Sequence, residues 1–210
     1  KATAEGLLDE ELIPAKIPPK FSVVEHDNGF RADTSMERLA KLRPAFIKPH
    51  GTITAGNASF LTDGASASLI MDLRAYNYVS RDPGEELLLG PAYATPNVLD
   101  TMNLSLEDID VFELHEAFAG QVLAVLAALD SDDFAKNSLG KDSKIGAIPM
   151  DKLNTLGGSL SIGHPFGATG VRLVTTAANR LIREGGKYAL VTACAAGGQG
   201  HAIILERYSA

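Results

Sequence analysis

The chain has 210 residues, 45% of them apolar, and a net charge of −7 from 26 acidic and 19 basic side chains. That length supports one domain with a substantial core. The Lys and Arg residues are scattered rather than gathered into a basic patch, which argues against a nucleic-acid surface. No apolar run approaches the roughly 18 residues of a membrane span. The single cysteine, Cys194, excludes an internal disulfide framework and fits a reducing compartment. The sequence opens on Lys1 with no visible signal or transit peptide, and its start reads as the middle of something larger.

Residues 1–33 read as a connector. A short helical piece is expected to end near Gly6-Leu7-Leu8, followed by an extended run from Leu12 to Pro19 and a polar turn at Asp27-Asn28-Gly29. Thr34-Ser35-Met36-Glu37 carries a capping-box signature and predicts a short helix through Leu42, ending before Pro44. Gly51 to Ser59 suits a tight loop feeding a buried small-residue segment, Asp63 to Met71, and Tyr76 to Val79 is a plausible strand. From about residue 97 the pattern becomes βαβ-like. Asp110 to Leu114 reads as an apolar strand, and Phe118, Val122, Val125, Leu126 and Leu129 fall at helical spacing over 116–129. A charged loop from Asp130 to Lys144 precedes a second long helix, Phe166 to Arg183, with Val174, Ala177, Ala178 and Leu181 on one face and Gly185-Gly186 closing it. Tyr188 to Cys194 and His201 to Glu206 are strands joined by the glycine-rich turn Ala195 to Gly200. There is no internal repeat and no low-complexity tract. The class is α/β, with a mixed five-stranded sheet covered by helices, because the last two strands look like a hairpin.

Three reactive side chains occupy equivalent places in this pattern. His115 lies where a strand hands over to a helix, His164 precedes a helix that opens on Pro165, and Cys194 ends a strand. In open α/β sheets, strand carboxyl ends and helix amino ends gather on one edge, where ligands bind. A histidine near a helix amino end tends to stay neutral, and a cysteine beside such an end or a cation becomes a usable thiolate. Gly197 and Gly198 let backbone N–H groups approach a ligand closely. The bland alternatives are a capping or surface histidine, a small buried hydrophobe for the cysteine, a first-turn dipole role for Glu116, a core role for Phe118 and a plain hairpin loop at the glycines. A thiol and imidazoles so placed suggest acyl-group chemistry. Gly163, Gly167 and Gly170 lack the spacing of a dinucleotide fingerprint, and there is no P-loop, no serine-hydrolase elbow and no metal-ligand spacing.

His115-Glu116-Ala117-Phe118, Gly163-His164-Pro165-Phe166-Gly167-Ala168-Thr169-Gly170 and Cys194-Ala195-Ala196-Gly197-Gly198 together resemble, in order, the three catalytic loops of the thiolase family. Gly51 to Ser59 with Asp63-Gly64-Ala65-Ser66 resembles the block that opens the family's carboxy-terminal domain. The resemblance covers nearly the whole chain, dividing it into the end of a loop region (1–33) and a carboxy-terminal domain (34–210). The nucleophilic cysteine of the family's amino-terminal domain is absent. His115, where many members carry asparagine, points to the subgroup that serves as beta subunit of the mitochondrial trifunctional β-oxidation enzyme.

The resemblance implies CoA-dependent cleavage of a 3-ketoacyl-CoA to acetyl-CoA and a shortened acyl-CoA, with coenzyme A as substrate and no cofactor or metal. His164 would activate the nucleophilic thiol and help bind the thioester oxygen. Cys194 would be the second acid/base, and His115 would supply or position the other oxyanion donor. The backbone at Ala196 and Gly197 would form a second oxyanion hole, with Ala196 standing where many members have glycine. Phe118, Ala117 and Leu87 would line the substrate channel. The segment from Asp72 to Tyr76 is shorter than the family's usual connection there. A homodimer, a hydratase/dehydrogenase alpha subunit and a mitochondrial location are implied in the same way, the bacterial cytoplasm being the alternative address. Membrane association would come only through parts not in this chain. Two other readings stay open: a thiolase-like module serving assembly alone, and a condensing acyl-carrier synthase, which shares the fold but typically pairs two histidines against its cysteine.

Overall fold

The computed structural model describes residues 1–68 and 75–208. Its centre is a mixed sheet whose strands lie in the order β3 (Ala75–Ser80), β6 (Gln199–Glu206), β5 (Tyr188–Ala195), β4 (Val111–Leu114). β4 and β5 are parallel, while β5–β6 and β6–β3 are antiparallel. The α/β class, the mixed sheet and the terminal hairpin thus hold, with four strands among the described residues where five were expected. β1 (Ala15–Ile17) and β2 (Ser22–Val24) form a separate exposed two-stranded ribbon in the connector.

Alternation along β5 sorts its side chains between two cores. Leu190 joins Phe112, Leu114, Ile204 and the inner residues of helices α2 (Gly90–Met102) and α3 (Ala119–Leu129). Ala189 and Val191 face the other way, with Val111, against helix α6 (Phe166–Glu184). The buried stripe of α6 is Leu173, Ala177 and Leu181, spaced by four, with Val174 beside it; Ala178 of the expected face is exposed. Each fully buried leucine there contributes about 1.5–3 kcal/mol.

α2 escapes a periodicity search because residues 90–96 are all buried and leave no polar face to set a phase. It also contains Pro91, tolerated in the first turn, and Pro96, which reads as a breaker. Gly90 is obligatory: a Cβ there would lie 2.5 Å from Gly200 Cα, so helix and strand β6 meet backbone to backbone.

Other expectations shift. Residues 1–11 form successive turns rather than a helix. Helix α1 (Met36–Ala40) is capped by Ser35, which accepts from the Arg38 N–H, while the Thr34 hydroxyl turns back to Arg31 O, so no Thr34–Glu37 box forms. Asp63–Ser68 is mostly exposed, not buried. The remainder of that segment and the shortened stretch beginning at Asp72 lie outside the described residues up to Arg74. α3 starts at Ala119 because Phe118 is still extended. The loop after it holds two short helical turns, α4 (Asp132–Phe134) and residues 135–139.

Strand β4 is tied to α6 by a buried ion pair. Arg180 Nη1 lies 2.9 Å from Glu113 Oε1, with both side chains fully inaccessible. The guanidinium also donates to the carbonyls of Phe112 and Lys152 and to Glu184, so it keeps its charge inside the protein. Glu113 Oε2 has no hydrogen-bond partner among the described residues, and burial pushes the Glu113 carboxyl up to about 7. Removing only the cation strands these acceptors. Arg180→Met is expected to cost about 3–5 kcal/mol in chemical denaturation. The double variant Glu113→Leu/Arg180→Met should recover most of that loss.

Candidate active site

Three loops meet where β4 and β5 end. The Leu114↔Thr192 pairing of the parallel strands sets the register, and the His115 N–H extends it by donating to Thr192 O at 2.9 Å. His115 and Cys194 therefore leave neighbouring strands at the same edge of the sheet. His164 arrives from a third direction, between the short helix α5 (Ser159–Ile162) and α6. Its N–H donates to Phe60 O, and Gly163, at φ 92°, makes the bend. A Cβ on Gly163 would strike the Thr62 side chain. The small-residue block beginning at Gly51 is the strut for both histidine loops. Ser59 N–H donates to Ala117 O, Ala119 N–H donates to Asn57 O, and Leu61 bridges His164.

The two imidazoles are in contact, with ring centroids 4.2 Å apart and planes at 41°. His115 is buried and its Nδ1 is 2.9 Å from the Ser159 hydroxyl. His164 is partly buried, with Nδ1 2.7 Å from Thr169 Oγ1 and Phe166 packed 4.9 Å away on its ring. Burial, then the neighbouring His164 and Arg172, lowers the His115 pKa to about 3. Burial and then Arg172 also lower that of His164. Both rings are therefore neutral at physiological pH, through burial first and the Arg172 charge after it.

Cys194 corrects an expectation. It is buried, the hairpin turn expected after it is present, and burial pushes its thiol up to about 11. It is a protonated thiol at neutral pH, not a thiolate. In the turn that follows, positive φ falls on Gly197 (87°) and Gly198 (75°) and not on Ala196, so alanine is accommodated there. Gly198 sits against the backbone of Arg81, and the Arg81 N–H donates to Gly198 O. Leu87 lies in the same loop before α2, half exposed, with no described contact to the histidines. Phe118 and Ala117 are half-buried beside Ala58 and Ser59, in the histidine cluster.

Several supporting residues went unread in the sequence. Glu116 does not serve α3. Its carboxylate accepts from Asn154 Nδ2 at 2.7 Å and from the Leu160 N–H at the start of α5, across Gly158, where a Cβ would overlap it. Asn154 also pairs its side-chain amide with both backbone groups of Leu114. Arg172 Nη2 donates to Ser159. The Gly157-Gly158 pair was the one local signal of this close approach. A mainly apolar cavity of about 370 Å3 lies between the start of α6 and strands β5, β6 and β3, lined by Gly167, Gly170, Val174, Ala193 and His201. A second cavity, beside Asp100 and Lys141, shares no residue with this cluster. Among the described residues no His, Cys, Asp and Glu side chains gather as a metal site.

A thiolase carboxy-terminal domain model matches residues 67–207, and a thiolase amino-terminal domain model matches residues 1–74. The chain belongs to the thiolase family. It is 58% identical over 222 residues to the mitochondrial trifunctional enzyme subunit beta of Bos taurus, covering 99% of this chain and 46% of that protein. It is 45% identical over 220 residues to 3-ketoacyl-CoA thiolase of Yersinia enterocolitica, covering 98% of this chain and 50% of that one. The structure of human mitochondrial 3-ketoacyl-CoA thiolase in complex with CoA superposes with a TM-score of 0.81 at 34% identity, over 99% of this chain and 51% of that one. The chain thus spans about half the length of the curated relatives it matches.

Because Cys194 is the only cysteine, its titration is directly readable. The rate of its alkylation by iodoacetamide should keep rising with pH toward about 11, instead of levelling off in the ordinary thiol range. A plateau at or below the ordinary thiol pKa would contradict the buried environment.

Proposed function

We propose that this chain is the carboxy-terminal catalytic part of a 3-ketoacyl-CoA thiolase of fatty-acid β-oxidation. The observation that carries the reading is the contact between His115 and His164 at the sheet edge where β5, with Cys194 as its penultimate residue, ends, in a member of the thiolase family. Residues 1–33 would be the end of a loop region and 34–210 the carboxy-terminal domain. The reaction needs a second cysteine as nucleophile, which would lie in the portion of the relatives' length that this chain does not match.

In this reading neutral His164 accepts the nucleophile's thiol proton, and the thiolate attacks the 3-keto carbon. The C2–C3 bond then breaks, leaving an acyl-enzyme and the enolate of acetyl-CoA. The thioester oxygen of that enolate takes hydrogen bonds from the ring N–H groups of His164 and His115. The Cys194 thiol protonates C2, releasing acetyl-CoA, and becomes a thiolate. An ordinary thiol has a pKa of about 8.5, and the Cys194 thiol stands at about 11. Its thiolate therefore takes the proton from incoming CoA readily. The CoA sulfur attacks the acyl-enzyme, whose oxyanion is held by backbone N–H groups at Ala196 and Gly197. Loss of the enzyme thiolate, reprotonated through His164, gives the shortened acyl-CoA. Phe118, Ala117 and Leu87 line the path of the acyl and pantetheine chain.

Coenzyme A is a substrate here, and no resident cofactor is needed. Likeness to the mitochondrial trifunctional enzyme subunit beta supports a mitochondrial location and an alpha subunit as partner; in the same reading that partner is a hydratase/dehydrogenase and the thiolase pairs as a homodimer. The CoA complex of the human relative supports CoA binding.

The test is thiolysis of a long-chain 3-ketoacyl-CoA by the full-length polypeptide with its alpha partner. Cys194→Ser and His164→Ala should each lower kcat by on the order of 10²-fold or more. Unchanged activity in Cys194→Ser would make this domain an assembly module. The 210-residue chain by itself should not turn over, and measurable thiolysis by it would sink the two-cysteine scheme. Since the His164 pKa is lowered, its neutral form persists below the usual histidine value. The acid limb of kcat/KM should accordingly fall below about 6.5.

A further inference from the structure

The Ser159 hydroxyl has two partners among the described residues, Arg172 Nη2 at 3.2 Å and His115 Nδ1 at 2.9 Å. A guanidinium has only donors, so Ser159 Oγ must accept from Arg172. The hydroxyl proton then has one acceptor left, the ring nitrogen of His115. Were Nδ1 protonated instead, Ser159 would face two donors and its own proton would be orphaned in a fully buried position. His115 Nε2 has no described hydrogen-bond partner, and its ring lies against His164.

We infer that Arg172 and Ser159 are positioning residues that fix His115 in the tautomer with its proton on Nε2. His115 then presents a permanent N–H donor at the histidine cluster and does not act as a base. His164 differs, because its partner Thr169 Oγ1 has a second acceptor in reach, Pro165 O at 3.5 Å. The Thr169 hydroxyl can therefore donate or accept, and His164 can carry its proton on either nitrogen. One ring is locked as a donor and its neighbour is free to exchange protons, a division of labour that deepens the proposed function and rests on it for its catalytic consequence.

Arg172 suits the task beyond its reach to Ser159. Its charge faces both rings from α6, and burial with that charge keeps them from becoming imidazolium. Burial lowers the Arg172 pKa, and the nearby Glu113, Glu116 and Glu11 partly counter that.

The experiment is nitrogen NMR of full-length protein labelled with 15N-histidine, alongside thiolysis kinetics. In the wild type, the His115 signals should show Nε2 protonated and Nδ1 bare. Ser159→Ala should mix the tautomers and lower kcat about tenfold with KM little changed, less than the about 10²–10³ for loss of a whole oxyanion donor. Arg172→Met should act in the same direction, whereas Arg172→Lys, still donor-only, should retain the tautomer. A wild-type His115 protonated on Nδ1 overturns the inference outright, whether or not any variant folds. So does a Ser159→Ala protein with unchanged tautomer and unchanged kcat. If wild type holds the Nε2–H tautomer yet catalyses no thiolysis, the lock stands and the thiolase reading falls.

Discussion

Everything at the candidate site depends on the parallel pairing of β4 with β5. Antiparallel strands would have sent their carboxyl ends to opposite edges, separating His115 from Cys194 by the length of the sheet. The bond from His115 N–H to Thr192 O carries the pairing one residue beyond the strand, to the first catalytic candidate. Helix α6 is the crossover's last element before β5, and its amino end lies at this same edge, which is why His164 reaches the pair. Arg180 holds the arrangement from below. One guanidinium joins α6 to Glu113 on β4, to the Phe112 carbonyl beside it and to the Lys152 carbonyl on the strap that passes β4. The ion pair contributes placement more than net stability, since taking both charges from water offsets most of their attraction.

Desolvation is the second organising force, and it acts on each group in the sense the proposed chemistry requires. Burial disfavours the charged form of every titratable side chain. Applied to two histidines it yields neutral rings; applied to Cys194 it yields a thiol that holds its proton. An acid that must protonate carbon, and then recover its proton from another thiol, benefits from a high pKa. The thiolate expected from a helix terminus or a cation would have been a poorer donor. The chain achieves this by placing Cys194 on an inner strand end before a glycine turn.

The main elements were legible because their patterns are strong. α6, β5 and β6 carry clear periodicity, and their ends fall within a residue or two of expectation. Two of the three candidates stood out because glycines mark their loops, Gly163 before His164 and Gly197-Gly198 after Cys194, whereas His115 stood out only as the residue after a strand. α2 was not, because its first seven residues are all buried and set no amphipathic phase, and Pro96 inside it reads as a breaker. The supporting shell was equally hidden. Glu116 reads as a first-turn residue of the helix that follows it, yet it caps α5, more than forty residues onward in sequence. Ser159 lies on α5 and Arg172 on α6, while His115 follows β4, so no local spacing couples them. Such pairings exist only once the sheet has brought the loops together. Local sequence can mark where reactive groups stand, but not which protonation state they hold.

The same reasoning explains why Ala196 is tolerated beside two glycines. The turn between β5 and β6 must reverse the chain while leaving N–H groups free, and left-handed backbone is needed at two of its three positions. Gly197 and Gly198 supply both, and Gly198 also admits the Arg81 backbone at a distance no side chain would permit. Ala196 keeps an ordinary φ, so its methyl costs no strain and its N–H stays available. Conformational demand, not the identity of a motif, decides which residue in the loop must be glycine. A loop that departs from the commoner glycine at its second position after Cys194 thus retains the backbone donors on which the proposed oxyanion hole depends.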